Sequence, residues 1–270
     1  PRMPWVKAAT GSLGQGLSVG VGLALAQRLD KTPARTYVVL GDGECAEGAV
    51  WEAANTAAFL KLSNLCAVVD VNRLGQSDFT MHRHDLAAYS RKFKAFGWGV
   101  FSVNGHDIPA LLEALGKARK SAGPSVILAK TVKGQGVSFI ADRNGWHGKP
   151  LKEDELKAAL AELGEMPAVD GRKLVKPRRG KKTAAEPRSH EFEKTDYKEK
   201  TATRLAYGQA LVRLGRVNPR VVVIDGDVKN STYADKFFEE FPGRSFQSYI
   251  AEQGMVGMAL GLAVRGYIPF

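Results

Sequence analysis

Only two cysteines, Cys45 and Cys66, occur in 270 residues, and their number and spacing fit neither a disulfide scaffold nor a zinc site. Cys66 lies in an apolar run and is expected simply to pack. Long apolar runs are also missing: nothing approaches the ~18 consecutive apolar residues of a membrane span, and no basic start leads into an apolar stretch like a signal peptide. A cytoplasmic protein with no membrane partner is expected. Acidic residues number 28 against 39 basic ones, for a formal charge of +11. Residues 170–200 alone hold eleven Lys or Arg and six Asp or Glu, so nearly half the excess sits in one stretch and does not point to nucleic acid. A start methionine is absent and the last residues, Tyr267-Ile268-Pro269-Phe270, fall inside an apolar run, so both ends are read as cuts.

Apolar residues make up 44% and charged residues 25%, ordinary values for a globular chain long enough for one or two domains. Apolar runs alternate with amphipathic segments over residues 1–164, the pattern of βα units around a mostly parallel sheet. Strands are expected at 36–40, 65–71, 99–103 and 125–130, and helices at 14–29, 48–62, 108–121 and 154–163. Residues 165–200 turn to Lys, Arg, Pro and Gly without periodicity, as in an interdomain linker. A second α/β pattern begins at 201: a helix at 202–214, a strand at 221–224, a helix near 233–241, a strand near 246–250 and an apolar segment at 252–264.

The run Thr36-Tyr37-Val38-Val39-Leu40 leads into Gly41-Asp42-Gly43-Glu44, a buried strand that ends in a carboxylate between two glycines. Ligands of open parallel sheets bind beyond the carboxyl ends of strands, where glycine lets the backbone approach a phosphate. A lone Gly-Asp-Gly is most often a turn. Here a helix and the strand at 65–71 follow, and 28 residues separate Gly43 from Asn72. A right-handed βαβ crossover returns the chain to a parallel strand, which places Asp42 and Asn72 at one edge of the sheet. Two hard oxygen donors converging there suit magnesium, which takes few protein ligands and completes its shell with phosphate oxygens and water.

This spacing resembles the thiamine-diphosphate-binding motif, which adds a backbone carbonyl two residues on, here that of Leu74. Further segments narrow the resemblance to the transketolase family: Thr10-Gly11-Ser12-Leu13-Gly14-Gln15-Gly16-Leu17, Val71-Asn72-Arg73-Leu74-Gly75-Gln76-Ser77-Asp78, and Trp146-His147-Gly148-Lys149-Pro150. Thr203-Arg204-Leu205-Ala206-Tyr207-Gly208, Asp225-Gly226-Asp227 with Lys229-Asn230-Ser231-Thr232, and Tyr249-Ile250-Ala251-Glu252-Gln253 continue it beyond the basic stretch.

The resemblance implies a thiamine-diphosphate-binding α/β fold with a mostly parallel sheet flanked by helices. Residues 1–164 would form the diphosphate and metal-binding domain, 165–200 the linker, and 201–270 the start of a related pyrimidine-binding domain. It implies thiamine diphosphate and Mg2+, with Ca2+ or Mn2+ able to substitute, and transfer of two-carbon ketol units between sugar phosphates by a homodimer with sites at its interface. Asp42, Asn72 and Leu74 would hold the metal; Gly11, Ser12, Leu13, Asp42, Gly43, Asn72, Lys133, His147 and Asp227 would line the cofactor. Glu252 would pair with its pyrimidine, His147 would move protons at substrate oxygens, and Glu47 and Glu52 would connect the two sites. Arg204 and Ser231 would bind the sugar phosphate. His82, His84, His106 and His190 match no catalytic motif. Family members carry further active-site histidines upstream and downstream and a third domain, so the stretch alone is expected to be inactive. Alternative readings are a related ketol transferase, such as dihydroxyacetone synthase, or a non-catalytic transketolase-like binding protein.

Overall fold

Strands β1 (Thr36–Gly41), β2 (Leu65–Val71), β3 (Gly99–Asn104) and β4 (Ser125–Lys130) form a wholly parallel sheet in the order β1-β2-β4-β3 in this computed structural model, which describes residues 6–165 and 194–270. Between them run α2 (Gly48–Phe59), α3 (Leu86–Ala95) and α4 (Ile108–Ala118), with α1 (Gln15–Leu29) before and α5 (Glu153–Leu163) after. Valine, isoleucine and leucine fill β2 and β4 because helices cover both faces of an interior parallel strand. Register pairs Gly41 with Asp70 and Val71 with Lys130, so β1, β2 and β4 stop at one edge. Asp42, Asn72 and Thr131 all follow at that edge.

The second sheet has the order β6-β5-β7, with β5 (Val221–Asp225) parallel to both β6 (Ser245–Gln247) and β7 (Ile268–Pro269). Around it lie α6 (Thr203–Val217), α7 (Lys229–Thr232), α8 (Asp235–Glu240) and α9 (Glu252–Val264). The two sheets share one core, in which Leu17, Val21 and Leu25 of α1 meet Met258 and Leu262 of α9, with Val38 and Val69 on one side and Val222 and Ile224 on the other. Helices α1 and α9 touch backbone to backbone. A Cβ on Gly22 would run into the Met258 carbonyl, and one on Gly261 into the Val19 carbonyl. Asp30, just beyond α1, adds a polar tie: it accepts from Tyr267 Oη at 2.9 Å and Arg265 Nη2 at 2.9 Å, with Arg220 Nη1 at 3.5 Å.

All four strands expected in the first unit are present, and the boundaries of several other elements differ for local reasons. Helix α1 starts after Gly14, whose φ of 83° lies outside the helical region. Helix α2 stops at Phe59 rather than 62 because Lys61 turns left-handed, φ 50°, and α4 stops at Ala118 rather than 121. The strand expected near 246–250 ends at Gln247, since Tyr249 has φ 54° and cannot continue a strand. The helix expected near 233–241 is α8, Asp235–Glu240, and the short α7 that precedes it was not anticipated; α7 ends at Tyr233, which has φ 58°. Helix α3 was not anticipated; Asp85 caps it by accepting from Ala88 N at 3.0 Å, and Tyr89 and Phe93 bury. Most of the expected linker, residues 166–193, and His190 within it lie outside the described residues.

Candidate active site at the carboxyl edge of the first sheet

Asp42 is the first residue past β1, and its side chain is nearly enclosed, at 4% exposure. Oδ1 accepts from Gly43 N at 2.9 Å; Oδ2 accepts from Arg73 N at 2.8 Å and Thr80 Oγ1 at 2.9 Å. Burial pushes its pKa up, and those three donors work against that shift by stabilising the anion. Asn72, at the end of β2, accepts from Leu74 N through Oδ1 at 3.0 Å and donates from Nδ2 to Asp70 Oδ2 at 3.1 Å. Asp70 is held in turn by the Thr131 hydroxyl. The turn 72–80 folds back through a bridge between Leu74 and Phe79 and a bond from Thr80 N to the Arg73 carbonyl at 2.9 Å.

Glu44 ties Gly14, and with it the segment before α1, to the end of β1, accepting from Gly14 N at 2.9 Å through Oε1 and from Gly41 N at 3.1 Å through Oε2. Gly11, Ser12 and Leu13 are exposed just before α1, beside it. Glu47 is the exposed N-cap residue of α2, and a Cβ on Gly14 would lie 2.8 Å from its own Cβ. Glu52, one turn into α2, accepts from Gly254 N at 2.8 Å, so it reaches the first turn of the helix that Glu252 opens. Glu252 itself is exposed.

On the far side, Lys133 Nζ lies 3.1 Å from His147 Nδ1 in the loop after β4. Asp227 is exposed after β5, with φ 73° and its N–H donated to Asp225 Oδ2 at 2.8 Å. Arg204, in the first turn of α6, sits 5.8 Å from the Tyr233 ring centre. Ser231 lies two residues before that tyrosine and donates to the Val228 carbonyl at 3.0 Å. The edge of the first sheet thus collects Asp42, Gly43, Asn72 and Leu74 with the 11–13 segment. Arg204 and Ser231 both lie on the second unit, one facing the Tyr233 ring and the other two residues before it in the chain.

Glu44, Thr80 and Asp70 were not singled out from the sequence. Glu44 had a signal, since it completes the Gly-Asp-Gly-Glu turn; nothing local marks Thr80, 38 residues from the carboxylate that it bonds. Of the histidines that match no catalytic motif, His84 Nε2 lies 3.0 Å from the Thr131 carbonyl, His106 Nε2 accepts from Val132 N at 2.7 Å, and His82 Nε2 lies 2.9 Å from Lys92 Nζ. Both cysteines are free and buried, and burial pushes the Cys45 thiol up to about 12. Among the described residues, no three or more His, Cys, Asp or Glu side chains group to hold a metal. No described helix is long and apolar enough to cross a membrane.

Residues 2–171 match the family described as transketolase, thiamine diphosphate binding domain, and residues 199–270 match the transketolase pyrimidine binding domain. The chain belongs to the transketolase family. It is 40% identical to human transketolase over 275 residues, covering all of this chain and 44% of that protein. It is 43% identical to bovine transketolase-like protein 2, covering 98% of this chain and 43% of the relative. This transketolase-family chain therefore spans under half the length of the curated relatives it matches. Among solved structures, transketolase from Campylobacter jejuni superposes with a TM-score of 0.78 at 26% identity over 98% of this chain and 48% of that one. A Pichia stipitis transketolase in complex with sedoheptulose 7-phosphate shares the fold with a TM-score of 0.77 at 24% identity, over 97% of this chain and 48% of that one.

Proposed function

We propose that this chain is part of a cytoplasmic, magnesium- and thiamine-diphosphate-dependent transketolase that moves a two-carbon ketol unit from a ketose phosphate to an aldose phosphate. Residues 1–164 act as the diphosphate and metal unit, and residues 201–270 begin the pyrimidine unit. The observation that carries this reading is the placement of Asp42 and Asn72 just past neighbouring parallel strands at one sheet edge, inside a family match that covers both units.

The residues present fit the cofactor and its ion. Three donors fill three of the roughly four acceptor positions of the Asp42 carboxylate, which leaves one for a cation, and an amide oxygen such as Asn72 Oδ1 has two lone pairs. With the Leu74 carbonyl these are hard oxygen donors, suited to Mg2+, or to Ca2+ or Mn2+ in its place. Gly11 is open, with nothing within 4 Å of an added Cβ, as a backbone that a ligand approaches must be. Bound there, thiamine diphosphate supplies the electron sink for breaking and making the carbon–carbon bond.

The chain's own residues orient and exchange protons. Glu252 hydrogen-bonds the cofactor's pyrimidine and sets its protonation; Glu47 and Glu52, with Glu252, connect the two active sites, and Glu52 already reaches the start of the helix that carries Glu252. His147, with Lys133 at its Nδ1, moves protons at substrate oxygens, as an imidazole can by donating or accepting at its ring nitrogens. Gly11, Ser12, Leu13 and Asp227 flank the cofactor. Arg204 and Ser231 bind the sugar phosphate, a guanidinium and a hydroxyl meeting a dianion.

We further propose that the full protein is a two-fold dimer, with Asp42 of one chain and Glu252 of the other completing each site. Full-length Asp42→Ala should lose magnesium-dependent cofactor binding, whereas Glu252→Ala should bind cofactor and fail to turn over. Refolded together, the two inactive proteins should regain roughly a quarter of wild-type activity, because half the dimers are mixed and each mixed dimer has one intact site. If mixed dimers form and stay inactive, Asp42 and Glu252 act from one chain, as the contact between Glu52 and the start of α9 allows.

A further inference from the structure

Arg73 sits between Asn72 and Leu74, and its backbone N–H holds Asp42 Oδ2. Its side chain leaves that turn altogether. Nε donates to Asp142 Oδ1 at 2.7 Å and Nη2 to Asp142 Oδ2 at 2.5 Å, a bidentate fork across 69 residues. The Phe79 ring backs the guanidinium, 4.8 Å from Cζ, so the fork points in a set direction.

Asp142 belongs to the loop of residues 131–150, which carries Lys133 and His147. Its backbone N–H donates to the Lys133 carbonyl at 2.9 Å, and Lys133 Nζ in turn meets His147 Nδ1. One residue therefore grips the Asp42 turn with its side chain and the Lys133 backbone with its amide. It does so with φ 60°, a left-handed conformation that an aspartate tolerates only at some cost; Arg73 also lies there, at φ 66°. The loop has other anchors: Thr131 N bonds the Val71 carbonyl at 3.1 Å, and Ser138 N and Oγ bond Glu162 at 2.6 and 2.8 Å. Those anchors fix the loop's start and its outer side. The Arg73 fork ties its 142–147 stretch to the turn beside Asp42.

We propose that Asp142 is a positioning residue: by gripping Arg73 it holds Lys133 and His147 in register with the Asp42 turn. A chain of contacts runs from the Asp42 carboxylate through Arg73 and Asp142 to Lys133 and His147, so a shift at the turn is transmitted to the loop. The catalytic consequence rests on the function proposed above, whereas the order of the loop does not.

The test uses the full-length protein without cofactor, followed by amide hydrogen exchange, with Asp142→Asn, Asp142→Gly, Arg73→Lys and the Asp142→Asn/Arg73→Lys double variant. Asp142→Asn removes the charge and keeps a residue that accepts a left-handed φ. Arg73→Lys keeps the charge and loses the fork. Each single variant should speed exchange over residues 133–147 by about tenfold, the range expected for loss of a partly exposed charge-assisted pair. Exchange in β1 and β2 should not change. The double variant should be no looser than either single one, because both remove the same interaction. Asp142→Gly relieves the backbone conformation without restoring the pair, so it should be as loose as Asp142→Asn. A loop tightened by glycine, additive effects in the double variant, unchanged exchange, or loosening that spreads into β1 and β2 would each overturn the proposal.

In wild-type protein that shows ketol transfer, Asp142→Asn should lower kcat about tenfold with the donor KM within twofold, since misaligned groups cost the reaction step and not donor binding. A raised donor KM at unchanged kcat would refute the positioning role. If wild-type protein shows no ketol transfer, the proposed function fails, and the exchange measurements still decide whether Asp142 orders the loop.

Discussion

Gly22→Ala adds one methyl group at the place where α1 crosses α9. The new Cβ would meet the Met258 carbonyl, with Gly261 Cα and Leu262 N each 2.9 Å away. All three are backbone atoms, so no side chain can swing aside and the helices must part. Leu17, Val21, Leu25, Met258 and Leu262 all pack at this crossing within the shared core, and a gap of up to ~1 Å forfeits a quarter to a half of each attractive contact. Overpacking costs about 1–3 kcal/mol where neighbours can adjust, and a backbone contact belongs at the top of that range. Against it stands a gain of about 1 kcal/mol in helix propensity. The net expectation is a loss of about 2 kcal/mol, or about 4–8 °C in unfolding midpoint for a unit of this size. Gly116→Ala in α4 makes the same chemical change where nothing lies within 4 Å of the added Cβ, and it should stabilise by about 1 kcal/mol. Denaturant titration of the full-length protein and both variants measures the two shifts. If Gly22→Ala is as stable as wild type, the close crossing of α1 and α9 is wrong.

Asp30→Ala should destabilise by about 3 kcal/mol, the low end for breaking a buried pair, because Arg220 is left at 10% exposure without its counter-charge while Arg265, at 30%, is partly screened; a loss under ~1 kcal/mol in a urea titration would contradict it. Arg204→Ala in the full-length protein should raise KM for a phosphorylated donor far more than for an unphosphorylated ketose, and equal changes would remove Arg204 from the phosphate site. Arg73 holds the Asp142 carboxyl below its usual pKa, Ser138 does the same for Glu162 and Arg216 for Glu240. Carboxyls with lowered folded pKa values stabilise above the ordinary carboxylate range and lose that contribution as pH falls through the lowered values. Stability should therefore drop on acidification below about pH 4.5, with a shallower slope for Glu162→Gln; an unchanged slope would show that the Ser138 bonds do not form in solution.

The sequence by itself determined the parallel sheet of the first unit. Its strands are continuous apolar runs whose signal is local, and β2 and β4 fall at the residues that the pattern marks. It also determined that Asp42 and Asn72 share an edge, because a right-handed crossover leaves no other arrangement. Elements set by one left-handed residue were less legible. Lys61, Tyr233 and Tyr249 are neither glycine nor asparagine, so nothing in their type announces where α2, the α7–α8 pair and β6 break. Only the tertiary structure decided how the site is held. Thr80 bonds Asp42 over 38 residues, Asp142 takes Arg73 over 69, and Gly254 donates to Glu52 over 202. Such contacts depend on where separate loops meet once the core has closed, and no periodicity or spacing in the chain encodes that. The glycines of α1 and α9 show the same division. They can be read as small residues from the sequence, but only the crossing reveals that Gly22 and Gly261 face each other, because each helix must present its bare backbone to the other for the two sheets to share a core.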